Sequence, residues 1–260
     1  MKLTKYGKKE WLRATVCAAV LLILCAVLTV IVNGRAGACL AVFVIVVWAA
    51  FAAFFRDPER KIPSDEKILT SPADGVVRDI ELIPNSNCGN EELARLFEGK
   101  DMLRIGIFLS VFDVHLNRAP CRMTVKFTSY KKGCFHDARD GRAAKENESL
   151  IMGGIGEIEG NEFPVAVKQV SGAIARRIVC PVEPDTLLKK GERYGMIKFG
   201  SRTELYLPVQ FLLMLLSLLH LSCCHFEPAV SVGDRVFGGM TVIARFCAKQ
   251  ETASVPVQKK

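Results

Sequence analysis

Two uncharged apolar runs dominate the first quarter of the chain, Ala14 to Val32 and Ala36 to Phe55. Each approaches the roughly 20 residues that an α-helix needs to cross a bilayer, and a helix suits an apolar medium because it satisfies its own backbone. The intervening Asn33-Gly34-Arg35 is a turn signal, so the pattern predicts a helical hairpin over 14–55, with spans 14–32 and 36–55. After Pro58 the pattern breaks into short alternating segments bounded by Gly, Pro and Asn. Val76-Val77, Leu103 to Leu109, Met123 to Phe127, Phe163 to Val170 and Ile174 to Val179 read as strands. Glu91 to Glu98 reads as a short helix, and the polar stretch 131–149 as a long loop of a functional kind. The expected class is α+β, a β-rich domain over 56–260 behind a membrane hairpin.

Charge orients the hairpin. Lys2, Lys5, Lys8, Lys9 and Arg13 precede it, and Arg56, Arg60 and Lys61 follow it. Positive flanks at both ends put a basic N-terminus (1–13) and the following domain on the cytoplasmic face of the cell membrane. Residues 1–55 carry six basic residues and one acid, Glu10, so +5 of the net +8 lies there. The basic balance is a membrane-flank signal, and no nucleic-acid-binding signature accompanies it. A cleaved signal peptide, with Ala36-Gly37-Ala38 as the processing site, is disfavoured by the length of the first run and by the second run that follows it. A shallow hairpin confined to one leaflet stays open. The ten cysteines form no Cys-x-x-Cys pair and read as reduced thiols. His220, Cys223, Cys224 and His225 match no standard zinc spacing and read as packing residues, so no metal is expected.

Chemistry enters with Gly200-Ser201. A serine hydroxyl can attack the carbonyl of the preceding residue, and glycine leaves that carbonyl unshielded. The peptide bond becomes an ester, elimination breaks the chain, and the serine is left as a pyruvoyl ketone. Such a ketone takes an amine as a Schiff base and accepts electrons as carbon dioxide leaves. Gly-Ser alone is an ordinary turn pair, and its surroundings decide the matter. GMIKFGSRTELYLP at 195–208 resembles the cleavage region of phosphatidylserine decarboxylases of the short, membrane-associated type. So do FFRDPER at 54–60, SPADGVV at 71–77, IFLSVFDVHLNRAP at 107–120, KQVSGAIARRIVC at 168–180 and VSVGDRVFGGMTVIARF at 230–246, in the family's order.

The resemblance implies a self-processing proenzyme that decarboxylates phosphatidylserine to phosphatidylethanolamine, with the pyruvoyl derived from Ser201 as cofactor and neither metal nor pyridoxal phosphate. It implies cleavage between Gly200 and Ser201 into 1–200 (β chain) and 201–260 (α chain), which stay associated, with higher oligomers left open. The implied catalytic set is Ser201 as nucleophile, His115 as base and Asp74 as the acid orienting it, an arrangement defined by geometry rather than chain order. The expected partners are the phospholipid and the membrane, with no nucleic acid. Two departures stand out. Phe112 occupies the position of a second histidine found in many members. An apolar insert over 209–226 follows the motif, open to reading as an interfacial helix, a buried insertion or an altered reading frame. SPADGVV and VSVGDRVFGGMTVIARF are also written like the halves of a lipoyl-like barrel. A non-catalytic membrane-anchored carrier-like adaptor is therefore the rival from another class, and a decarboxylase of another serine-linked lipid is the near variant.

Overall fold

The computed structural model describes residues 2–31, 34–136, 142–172, 177–198, 201–209 and 225–247. Two long helices come first, α1 (Lys8–Ile31) and α2 (Gly34–Phe54). Both have the length and composition to cross a membrane. Helix α1 starts before the apolar run, and α2 begins at Gly34. Gly34 and Arg35 therefore belong to a helix rather than to the expected turn, while Asn33 lies outside the described residues. The helices pair at their base, where Trp48 Nε1 donates to Thr15 Oγ1 at 3.1 Å and the Trp11 and Trp48 rings lie 6.4 Å apart. Ile23, Val30, Phe43 and Val46 on their outer faces are exposed. A contiguous apolar surface of this kind needs a non-aqueous partner.

Behind the hairpin stand β1 (Ile68–Thr70), β2 (Gly75–Ile83), α3 (Glu91–Leu96), β3 (Met102–Leu109), β4 (Leu116–Arg118), β5 (Arg122–Lys131), α4 (Ala143–Glu146), β6 (Ser149–Ile158) and β7 (Asn161–Ser171). Then follow β8 (Arg177–Val179), β9 (Leu187–Leu188), β10 (Arg193–Lys198), β11 (Ser201–Pro208), β12 (His225–Pro228), β13 (Arg235–Val236) and β14 (Val242–Cys247). The main sheet has the order β13-β2-β3-β11-β7-β6-β5-β9, with two smaller sheets, β1-β14-β12 and β4-β10-β8. Its core gathers Val77, Ile105, Ile107, Val125, Met152, Val165, Val167, Leu205 and Leu207. The β-rich α+β class and the apolar helix pair hold. The two segments written like barrel halves meet, because β13 pairs with β2 through Val236↔Gly75.

Three differences from the pattern have physical causes. Strand β6 is absent from the sequence reading because Gly153, Gly154 and Gly156 interrupt its alternation. The strand needs them: a Cβ on Gly154 would sit 2.2 Å from the Thr124 carbonyl oxygen of the neighbouring strand. Strands β10 and β11 are buried on both faces, so they show no alternation of apolar and polar residues. Of the polar stretch 131–149, residues 137–141 lie outside the described residues, as do 174–176 of the strand expected over 174–179. The rest of the polar stretch is tied down by Asn147, whose Nδ2 donates to the carbonyls of His136 (2.8 Å) and Ser171 (2.7 Å).

The hairpin docks on the domain at its base. Thr4 N donates to the Phe55 carbonyl and Asp57 N to the Lys2 carbonyl. Phe54 and Phe55 pack with Val114, Leu116 and Met196. A fully buried phenylalanine contributes about 1.5–3 kcal/mol, so this joint is a firm one.

Candidate active site

Ser201 is the first residue of β11, at the centre of the main sheet, paired to Leu109 of β3 on one side and Ser171 of β7 on the other. It is completely buried, and its Oγ has no hydrogen-bond partner among the described residues. A buried hydroxyl without a partner forfeits on the order of 1–3 kcal/mol, so the position is not explained by stability. Gly200 lies outside the described residues, as do His220, Cys223, Cys224 and the whole of 210–224 in the apolar insert; His225 opens β12.

Along the same face, two residues on, Thr203 Oγ1 accepts from Asn117 Nδ2 at 3.0 Å, and Asn117 Oδ1 accepts from Gln169 Nε2 at 2.8 Å. His115 lies two residues before Asn117, as Ser201 lies two before Thr203. Its backbone carbonyl accepts from Ile197 N on β10, the strand that leads toward the Gly-Ser bond. Strand β10 thus links the histidine motif to the Gly-Ser motif, and no hydrogen bond joins His115 to Ser201 among the described residues.

The His115 ring is completely buried and lies against the Phe54 ring, centroids 4.4 Å apart, at the end of the second apolar helix. Burial lowers its pKa to about 4, against an opposing hydrogen bond to Asp113. The imidazole is therefore neutral near pH 7. Its Nδ1 faces the Asp113 carbonyl at 2.9 Å. A carbonyl only accepts, so Nδ1 carries the hydrogen and Nε2 keeps a basic lone pair.

Asp74 is not the group on His115. Its Oδ2 accepts from Arg60 Nη2 at 2.7 Å, and its Oδ1 from the Gly238 backbone N–H at 2.7 Å. No Asp74–His115 hydrogen bond occurs among the described residues; the orienting contact expected of Asp74 is made by the Asp113 backbone. Burial raises the Asp74 carboxyl above its ordinary value, with Arg60 and the Gly238 N–H pulling the other way and Asp113 adding to the rise. The Asp113 carboxylate is itself pinned, by the Ser110 N–H at 2.8 Å and by Arg235. Asp74 thus joins FFRDPER, SPADGVV and VFGG in one buried cluster beside the histidine loop. Phe112 points outward from that loop and is exposed.

The opposite face of β11 is ionic. Arg202 donates to Asp79 (2.6 Å) and to Glu204 (2.8 Å), and Tyr206 donates to Glu204 (2.7 Å). Lys168 and Arg104 stand 3.6 and 3.8 Å from Glu204. Burial would raise the Glu204 carboxyl, but these three cations and the Tyr206 hydroxyl hold it at about 2. Gly106 makes room for the guanidinium, since a Cβ there would lie 2.0 Å from Arg202 Nη2.

A family model described as phosphatidylserine decarboxylase matches residues 47–244. The chain belongs to the phosphatidylserine decarboxylase family. Its relatives within that family include three named phosphatidylserine decarboxylase proenzyme. The one from Carboxydothermus hydrogenoformans is 41% identical over 79% of this chain and 83% of its own. The one from Wolbachia pipientis is 41% identical over 74% and 73%, and that from Rickettsia bellii 35% over 84% and 83%. The family match includes every motif at which the polar layer and the ionic face meet β11. Asp113, Asn117, Gln169 and Thr203 went unmarked by sequence reasoning, and Arg60 was marked only as a flank of the hairpin. The signal of the first four was available as polar residues at alternating positions inside otherwise apolar motifs.

Proposed function

We propose that the chain is a self-processing proenzyme that decarboxylates phosphatidylserine at the cytoplasmic face of the membrane, the hairpin holding its domain at the bilayer surface. The observation that carries the reading is the fully buried Ser201 Oγ at the head of the central strand, without a partner among the described residues. It occurs in a chain of a family whose curated relatives are named as proenzymes.

Processing starts when the Ser201 hydroxyl, losing its proton to the basic Nε2 of His115, attacks the Gly200 carbonyl. The peptide C–N bond breaks as the ester C–O bond forms, and the proton goes to the freed Ser201 nitrogen. Removal of the Ser201 Cα proton then expels the Gly200 carboxylate, and water replaces the resulting enamine nitrogen, which leaves as ammonia. The pyruvoyl so formed supplies an electron sink for loss of carbon dioxide from an amine-bearing substrate. The chain's own residues do the rest. Phe54 packs on the His115 ring, and Leu109 is the strand partner of Ser201. The Asp113 carbonyl keeps His115 in the useful tautomer, Asp74 clamps the VFGG turn to Arg60, and the Asp113 carboxylate ties the histidine loop to Arg235. The cut fragment keeps its strand neighbours on both sides, β3 and β7, and its Arg202 and Glu204 keep their ionic partners. The two pieces therefore stay together.

The test pairs variants with the lipid assay. Ser201→Ala stays full length and releases no carbon dioxide from phosphatidylserine. His115→Ala folds but accumulates as precursor. Decarboxylation by Ser201→Ala would overturn the mechanism, and normal processing of His115→Ala would remove that residue from it.

A further inference from the structure

Between the start of the hairpin and the domain lies a cavity of about 550 Å³. Lys5, Lys8, Lys9 and Arg13 line it from the hairpin side, Arg177 and Lys198 from the domain side. One carboxylate is present, Glu10, and it is already engaged: Lys198 Nζ donates to it at 2.6 Å and Arg177 Nη1 stands 3.6 Å away. Lys5, Lys8, Lys9 and Arg13 have no acidic partner among the described residues. Six cations therefore share one carboxylate, and Lys198 is nearly fully buried. Gathering like charge costs free energy unless an anion completes the set.

Position narrows the anion. Arg13 immediately precedes the uncharged run that starts at Ala14. In a hairpin that enters a bilayer, this places the cavity at headgroup level, just outside the hydrocarbon. Lys198 closes β10 and lies three residues before Ser201, a separation of at most ~10 Å along an extended chain. A phosphodiester bound by ammonium and guanidinium groups here would hold a serine headgroup, whose amine is only a few bonds from phosphorus, near residue 201.

We infer that this cavity binds the phosphodiester of an anionic glycerophospholipid and forms the headgroup subsite of the reaction. The second half of that statement rests on the proposed function; the binding itself does not. Glu10 sets the depth of the site by holding the buried Lys198 on its inner wall, with the exposed Arg177 at its rim.

The experiment uses the full-length Ser201→Ala chain in detergent, so that turnover plays no part. Native mass spectrometry counts retained lipid after addition of phosphatidylserine, phosphatidylglycerol or phosphatidylcholine. One phosphatidylserine or phosphatidylglycerol is retained per chain, and phosphatidylcholine is not. The exposed pair Lys8→Gln/Arg13→Gln weakens retention by about tenfold for each cation removed, and Lys8→Arg restores it. Inorganic phosphate displaces the lipid only at great excess. In the processed chain the same pair raises KM for phosphatidylserine with little change in kcat. Equal retention of phosphatidylcholine, or retention unchanged by the double substitution, would overturn the site. Saturation by inorganic phosphate that leaves the lipid bound elsewhere would overturn its assignment to a lipid. Retention of anionic lipid by Ser201→Ala, together with a wild-type chain that never self-cleaves, would leave the site standing and sink the proposed function instead.

Discussion

The two faces of β11 are built on opposite principles. On one, Ser201 Oγ has no partner among the described residues, and Thr203 shares a single asparagine. On the other, Arg202 and Glu204 are saturated by ion pairs and hydrogen bonds from β2, β3, β7 and their own strand. One face leaves the proposed nucleophile unsatisfied, and the other fixes the register that keeps it in place. The reactivity proposed for Ser201 is therefore local, whereas its position is secured across the sheet.

That contrast can be broken from the ionic side first. Glu204→Ala strands Lys168, Arg202 and Arg104 without their shared carboxylate, and breaking a buried pair in this way costs about 3–5 kcal/mol. Denaturant unfolding of the uncleaved Ser201→Ala background reads the loss directly. A change under about 1 kcal/mol, the scale of an ordinary surface pair, would mean that the cluster does not hold the strand.

Acid separates the histidine from the ionic face by pH. His115 has a folded pKa of about 4 against an ordinary value of 6.5. Between those values the unfolded chain binds the extra proton, so stability falls as pH drops from about 6.5 to 4, by up to roughly 3 kcal/mol. Glu204 is depressed instead, to about 2 from 4.5. Its contribution is complete above pH 4.5 and disappears as pH falls through the range from there to about 2. Unfolding curves from pH 7 to 3 on His115→Gln and Glu204→Gln separate the two windows. A window that persists in its own variant contradicts the assignment.

The smallest effect belongs to the neutral layer. Asn117→Ala leaves Thr203 and Gln169 without their shared partner, at about 1–3 kcal/mol. It slows self-cleavage more than it lowers stability if the layer aligns the two motifs. Equal rates in variant and parent would reduce the layer to packing.

Much of this architecture is legible in the chain itself, and the exceptions are instructive. The helix pair is written in two long uncharged runs, which no turn chemistry could disguise. Strands β2, β3, β5 and β7 show through their apolar spacing. Strand β6 does not, because close packing against β5 demands glycines that erase the period. Ser201 and His115 stand out through the motifs around them. The partners of Asp74 do not: Arg60 and the Gly238 N–H lie 14 and 164 residues away in sequence, and only the fold brings them together. The Asp113 contact to His115 runs through a backbone carbonyl, which no side-chain pattern announces.

The most direct measurement of the central claim is the intact mass of the purified wild-type chain under denaturing conditions. The account predicts two polypeptides divided between residues 200 and 201, the smaller one lacking a free N-terminal amine. A single full-length chain in a preparation that decarboxylates phosphatidylserine, or a break at any other bond, would contradict it.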